Sequence, residues 1–307
     1  MIEMHKSRKR PASDDSSRAV TEVGRNTYIV GENGLSSVDE RQSLFSYLID
    51  LLQRWPFIWF DARSRAFQGN KGSFLGSLWL VIEPLLQVGL YAVVFGLILR
   101  TNRGMDNFIG FLVIGVVFFR IASQGITDGS GLIRRSRALI SSFSFPRMSL
   151  AVATTVRQFL DNLPSALTAI VVAKAFEPSF SLNLNILLLV PILLITALMN
   201  LGFVLVTARA TAFVPDLMPL FTTLVRGLFF LSGVFYSIDR FETHPAIQEL
   251  VRVNPIYRVI ELVREIVLND GSGSANDWLY ISFFALSVLA IGIVYFWRAE
   301  SRYAGVV

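Results

Sequence analysis

An all-α integral membrane protein with six transmembrane helices is the fold class this sequence predicts. Three observations carry that prediction. Hydrophobic residues make up 53% of the 307 and the mean hydropathy is +0.53, while charged residues are 17%, against about 25% in soluble domains. Six apolar runs, at about 74–99, 108–127, 148–173, 184–208, 216–237 and 277–297, each reach the roughly 20 residues that cross about 30 Å of hydrocarbon. Arginines gather on particular connections, the asymmetry that orients spans with their basic loops inside.

Composition also excludes. With no Cys there is no disulfide framework, thiolate metal site or Cys nucleophile, and His5 and His244 are the only histidines. The net charge of +5 reads as cytoplasmic arginine and not as a nucleic-acid surface, because no aromatic–basic RNA motif accompanies it. Gly69-Asn70-Lys71-Gly72-Ser73 has the ingredients of a phosphate loop without its spacing. Nucleotide hydrolysis, a metal and a cofactor are therefore not expected on this chain.

Residues 1–43 are polar and rich in Ser, Asp and Arg, with a basic cluster from Lys6 to Arg10 and no apolar core after it. They read as a disordered cytoplasmic tail and not as a signal peptide. In residues 44–70, Leu44, Phe45, Leu48, Leu51, Leu52 and Trp55 recur at helical spacing, with Asp50, Gln53 and Arg54 between them, until Pro56 interrupts the run. This is an amphipathic helix lying in the lipid interface, or else a packing helix of a soluble subdomain. Residues 71–307 form the six-span domain.

The connection between spans 2 and 3, about 129–145, contains Gly131–Ile140 with Arg134, Arg135 and Arg137, a short basic amphipathic helix. Phe143-Ser144-Phe145-Pro146-Arg147 then leads into the third span, with Pro146 suited to a helix start. Such a helix docks into a partner's groove or anchors on lipid. Its arginines, with Arg298 and Arg302 after the last span, put both termini in the cytoplasm. In the 5–6 connection Arg240, Arg252, Arg258 and Arg264 are outnumbered by Asp239, Glu242, Glu249, Glu261, Glu265 and Asp270, which suits the outer side. Two short helices are expected there, about 245–253 and 256–268, the second with Ile256, Val259, Ile260, Val263 and Val267 on one face. They lie on the surface or dip in as re-entrant elements.

Charges inside the spans are the sharper signal, because a lone charge at that depth is costly. Glu83, Arg120, Arg157 and Arg226 come out about 12–16 Å from the inner face at 1.5 Å per residue, and Asp161 follows Arg157 by one turn. Two readings stand. Arg157–Asp161 and Glu83–Arg120 are ion pairs holding helices in register, or the surplus positive charge contacts an anionic group such as a pyrophosphate. Tyr91, Phe118, Phe119, Phe229, Phe230, Phe235 and Tyr236 likewise either line a channel, stacking on sugar faces, or pack. Gly72-x-x-x-Gly76 and Gly125-x-x-x-Gly129 permit close helix contact or cap span ends.

Four pieces in order add a resemblance: Gly72-Ser73 through Glu83-Pro84, Phe145-Pro146-Arg147, Phe229-Phe230-Leu231-Ser232-Gly233-Val234-Phe235-Tyr236, and Asn254-Pro255. From about 44 to 305 the chain resembles the permease subunits of type-two ABC exporters, the O-antigen and teichoic acid export branch. Gly233 stands where that family usually has Pro. The resemblance implies a multi-pass protein of the bacterial cytoplasmic membrane, two copies of which form one channel over two copies of a separate phosphate-loop ATPase that carries ATP and Mg. It implies a polyprenyl-pyrophosphate-linked polysaccharide as cargo, of O-antigen, teichoic acid or cell-wall galactan type. It also implies that Leu48, Leu51, Leu52, Arg54 and Trp55 form an interfacial gate helix. Coupling to the ATPase would fall to Arg134, Arg135, Arg137, Phe143, Phe145, Pro146 and Arg147. Two alternatives stay open: an exporter of the same fold for drugs or small amphiphiles, and an ATP-independent membrane enzyme or flippase for polyprenyl glycans.

Overall fold

A computed structural model of the chain describes residues 20–22, 28–30, 43–66, 76–98, 107–142, 145–177, 183–238 and 245–306. The chain divides into two compact units, Met1–Arg41 and Gln42–Val307. In the first, β1 (Val20–Glu22) pairs antiparallel with β2 (Tyr28–Val30), Thr21 opposite Ile29. The sequence reading had assigned no regular structure to this tail, so the all-α class applies to the second unit.

Every described element of that unit is a helix. It begins with α1 (Leu44–Gln53), capped by Ser43, which accepts from Ser46 N–H, and α2 (Trp55–Arg65). Pro56 falls in the first turn of α2, where a missing N–H costs nothing, so it starts a second helix and does not end the first. A 3₁₀ turn (Gly76–Leu78), α3 (Trp79–Tyr91) and a π-helical segment (Ala92–Ile98) follow. Next come α4 (Phe108–Gly129), the short α5 (Leu132–Arg135) and α6 (Arg137–Ser142), and the long α7 (Met148–Ala175). The chain continues through Leu184–Leu188 into α8 (Leu189–Phe213), then α9 (Leu217–Leu231), α10 (Pro245–Val253), α11 (Pro255–Leu268) and α12 (Ala275–Trp297). It ends with a 3₁₀ turn (Glu300–Arg302) and α13 (Tyr303–Val306). Among the described residues three helical stretches are long and apolar enough to cross a membrane: Phe108–Gly129, Leu184–Phe213 and Ala275–Trp297.

α4 is the centre of the bundle. Its first half, Leu112 to Phe119, is apolar and buried on every side, the mark of a helix enclosed by neighbours. Its glycines let α8 approach. A Cβ at Gly125 would stand 2.5 Å from Asn200 O, and one at Gly129 2.6 Å from Val204 Cα, so the Gly125-x-x-x-Gly129 spacing is a backbone contact. α8 meets α12 the same way, with a Cβ at Gly202 falling 2.7 Å from Leu289 N. The outer faces remain apolar and uncovered, with Leu279, Phe283 and Ile291 of α12 and Leu220, Leu224 and Phe230 of α9 all exposed.

Two expectations are corrected here. The fifth run was expected to be continuous over 216–237, but its helix stops at Leu231. Gly233 takes φ +62, and the guanidinium of Arg264 binds the carbonyls of Gly233 (2.9 Å) and Val234 (3.2 Å), pulling those acceptors out of helical register. Arg264 counts in the sequence among the charges of the 5–6 connection, off the apolar face of its helix. It is 3% exposed and stacks 3.3 Å over the Phe111 ring. α11 is accordingly buried in protein along Ile256, Val259, Ile260, Val263 and Val267.

Candidate functional site

The polar groups of α4 and α7 meet inside the bundle. Arg120, Gln124 and Asp128 recur every four residues, one face of α4. Asp128, just past the second apolar run at about 108–127, belongs to the last turn of that helix. α7 answers with Arg157, Gln158, Asp161, Asn162 and Ser165. Arg120 donates to Ser165 Oγ (2.9 Å), Asn162 to Gln124 Oε1 (2.9 Å), and Gln158 and Gln124 both to Asp128 Oδ2 (2.8 and 3.2 Å). From α8, Asn200 donates to Ile121 O (2.6 Å) and accepts from Gly125 N–H (3.1 Å). Amides buried among apolar side chains must be paired in this way, since each unmet group costs about 1–3 kcal/mol.

This seam separates two hollows. A cavity of about 740 Å³ lies between α2, α5, α6 and α7, with Asp61, Arg135, Arg157, Gln158 and Asp161 on its walls. A more open groove of about 570 Å³ lies on the other side, lined by Gln87 and Tyr91 of α3, Phe119 and Arg120 of α4, and Arg226, Phe229 and Phe230 of α9. Gln124 and Asp128 line both. The groove's rings are held by one another. Phe119 and Phe229 meet edge to face at 5.0 Å, Tyr91 and Phe229 are tilted at 5.7 Å, and behind them Phe95 stacks on Phe235 at 4.1 Å.

Against the sequence expectations, Arg157 and Asp161 pair at 3.3 Å, but Glu83 makes no ion pair with Arg120. It stays on an exposed face and reaches Arg120 through its field, as Asp161 does from the other side. Arg226 is exposed on the groove wall. Of the seven aromatic residues, Tyr91, Phe119, Phe229 and Phe230 line the groove. Phe118 is 1% exposed and Phe235 4%, so both are core residues, one facing away from the groove on α4 and the other backing the cluster. Tyr236 is half-buried, its hydroxyl donating to Phe230 O at 3.0 Å.

The end of the bundle that carries α5 and α6 has its own arrangement. Arg134 and Arg137 are exposed. Arg135 folds back to donate to Asp128 O (2.6 Å) and Ser130 O (2.8 Å), closing the α4–α5 turn. Phe145 packs against the core of this end, Pro146 is buried, and Lys71, Gly72, Ser73 and Phe143 lie outside the described residues. Arg147 serves the fold: its backbone N–H and guanidinium bind Glu300 (2.8 Å to Oε1; 2.9 Å to the backbone O). Tyr47 of α1 donates to the other Glu300 oxygen (2.9 Å) and accepts from Met148 N–H (3.1 Å). Three segments far apart in sequence thus meet at Glu300. Burial raises the Glu300 carboxyl above its ordinary value, against the opposing effect of Arg147 and Tyr47, and burial beside that carboxylate raises the Tyr47 phenol. On α1 and just after it, Leu48 and Leu51 face this core, while Leu52, Arg54 and Trp55 are exposed.

Sequence reasoning missed Gln124, Asp128, Gln158, Asn162, Ser165 and Tyr47. The three- and four-residue spacing of amides within apolar runs was a usable signal for most of them. Tyr47 had none, its partner lying 253 residues away.

Residues 64–268 match the sequence profile of the family described as ABC-2 type transporter. The chain is 22% identical to the O-antigen export system permease protein RfbA of Myxococcus xanthus over 263 residues, 85% of this chain and 93% of that protein. It is 23% identical to RfbA of Klebsiella pneumoniae over 242 residues (76% and 88%) and 24% identical to the polysialic acid transport protein KpsM of Escherichia coli over 238 (77% and 91%). With the profile covering most of the helical unit around the α4–α7 seam and the α9 groove, this chain belongs to the ABC-2 type transporter family.

Proposed function

We propose that this chain is the membrane subunit of an ATP-driven exporter that carries a polyprenyl-pyrophosphate-linked polysaccharide, of O-antigen, teichoic acid or cell-wall galactan type, across the bacterial cytoplasmic membrane. In this reading six segments span, both termini are cytoplasmic, and two copies enclose one channel above two copies of a separate ATPase that holds ATP and Mg. Support for the spans comes from the three long apolar helices, the 28-residue α7, the unbroken helical stretch 76–98, and α9 with the turn that continues it.

The observation that carries the cargo assignment is the pair Arg120 and Arg226 on a wall otherwise lined by aromatic residues. Guanidinium groups suit phosphate oxygens, and the rings suit isoprenoid chains and sugar faces. The export of O-antigen and the transport of polysialic acid named for the relatives support a polysaccharide as the cargo. Closure of the ATPase would push α5 and α6, and the Glu300 junction would pass that motion to α1 and α7. The test is translocation of a lipid-linked glycan by the permease–ATPase complex in proteoliposomes. Arg226→Gln removes a charge-assisted contact and is expected to lower the rate about tenfold or more; wild-type transport by that variant would contradict the assignment.

A further inference from the structure

We infer that Asn254, the cap of α11, and Arg264, within it, are positioning residues for the anionic end of the cargo: they hold the end of α9, and with it Arg226, Phe229 and Phe230, at the groove. The inference rests on the pyrophosphate reading of that groove.

α9 forms one wall of the groove, yet none of its 15 residues is buried. Among the described residues, the hydrogen bonds that tie it to another element come just past its end, and all of them come from α11. Asn254 caps α11 through Oδ1, which accepts from Ile256 N–H (3.0 Å), and its Nδ2 donates to Ser232 Oγ (2.8 Å). Ser232 in turn donates to Leu228 O in the last turns of α9 (2.6 Å). Arg264 takes the next two carbonyls, Gly233 and Val234, and also donates to Phe111 O of α4 (3.2 Å). Two pieces of sequence noted for their resemblance, Phe229–Tyr236 and Asn254-Pro255, are thus one contact.

α11 is a firm place to hold from. It is buried along most of its length, and Arg258 pairs with Asp277 to join it to α12. Arg264 is poorly explained as an ion-pairing residue. Burying a guanidinium is costly, and its carboxylate neighbour Glu261 stands 3.7 Å away and is 49% exposed, too wet to offset that cost. What the buried head does is fix three carbonyls over the face of Phe111. α4 leaves room for it: a Cβ at Gly115 would stand 2.7 Å from Arg264 Nη2 and 2.9 Å from Val234 O.

The turn held in this way leads directly into Phe235. That ring stacks on Phe95 and meets Tyr91 and Phe229 edge to face, at 5.1 Å each. A shift of Gly233 and Val234 therefore moves both the rings that back the groove and the helix end that presents Arg226. A charge-assisted contact is sensitive to such a displacement, because its strength depends on distance and alignment.

The experiment uses the full chain with its ATPase in lipid nanodiscs and a short-chain prenyl pyrophosphate as the probe. Kd is read on complex that elutes as a single species, so that loss of folded protein alone does not move it. Arg264→Met removes the donors and keeps an unbranched side chain. Gly115→Ala pushes against the guanidinium and Val234 O with no change of charge, and stands in if Arg264→Met does not assemble. Each is expected to weaken binding about tenfold, the scale of one charge-assisted contact. Arg264→Lys keeps the charge without the fork and is expected to fall between Arg264→Met and the wild type. A wild-type Kd in every variant that assembles overturns the positioning role while leaving the pyrophosphate reading intact. Failure of the probe to bind the wild type overturns the pyrophosphate reading itself, and the inference with it.

Discussion

Gln158 donates to Asp128 at 2.8 Å, and that bond joins the middle of α7 to the last turn of α4 at the wall between the two hollows. Its geometry makes a direct prediction. Gln158→Leu keeps side-chain bulk but removes the donor, leaving Asp128 with the longer bond from Gln124. Thermal unfolding in detergent should show a loss of about 1 kcal/mol, the scale of interhelical hydrogen bonds in membranes. An unchanged midpoint would mean that the seam does not hold α4 to α7.

The Glu300 junction predicts a pH dependence. Because burial raises this carboxyl, the folded chain binds its proton more tightly than the unfolded chain does. In the window between the ordinary glutamate value and the raised one, the folded state therefore holds more protons, and stability falls as pH rises. Below that window both states are protonated and the slope vanishes. Glu300→Gln should flatten the dependence in a pH series of melting curves, its one side-chain oxygen keeping the Arg147 N–H contact while the Tyr47 hydroxyl loses its acceptor. An identical slope in the variant would assign the effect to another group.

Gly233 predicts a conformational requirement. Its φ of +62 lies in the left-handed region, and a Cβ there would come within 3.0 Å of the Tyr257 ring. Gly233→Ala should cost about 1–2 kcal/mol from the backbone alone, read as a lowered melting midpoint. Gly233→Pro should be worse, because the proline ring fixes φ near −65°. A proline variant as stable as the parent would show that the turn after α9 readily adopts another conformation.

Arg134 and Arg137 predict a docking contact. Both are exposed on the short helices with no fold contact to hold them among the described residues, while Arg135, also exposed, is hydrogen-bonded to the carbonyls of Asp128 and Ser130, and Arg147 to Glu300. The double charge reversal Arg134→Glu and Arg137→Glu should leave the melting midpoint within about 0.5 kcal/mol of the parent and abolish co-purification of the ATPase subunit. Retained association would move the contact elsewhere.

Apolar length and spacing made most helices legible, including α11 with its buried face. What failed was direction around the helix axis. Glu83 and Arg120 come out at similar depth, yet depth says nothing of azimuth, and Arg120 turns to Ser165 instead. The early end of α9 depends on Arg264, 31 residues beyond Gly233 in the chain, so no local pattern announced it. The aromatic residues illustrate the same limit, since Phe118 and Phe119 are neighbours in sequence and only Phe119 meets the groove.

The most direct test of the exporter reading is the content of lipid-linked glycans after depletion of this protein in its source organism, by mass spectrometry of the organic extract. The account predicts build-up of a polyprenyl-pyrophosphate-linked glycan together with loss of the matching surface polymer. Intact surface glycans with no build-up would contradict it.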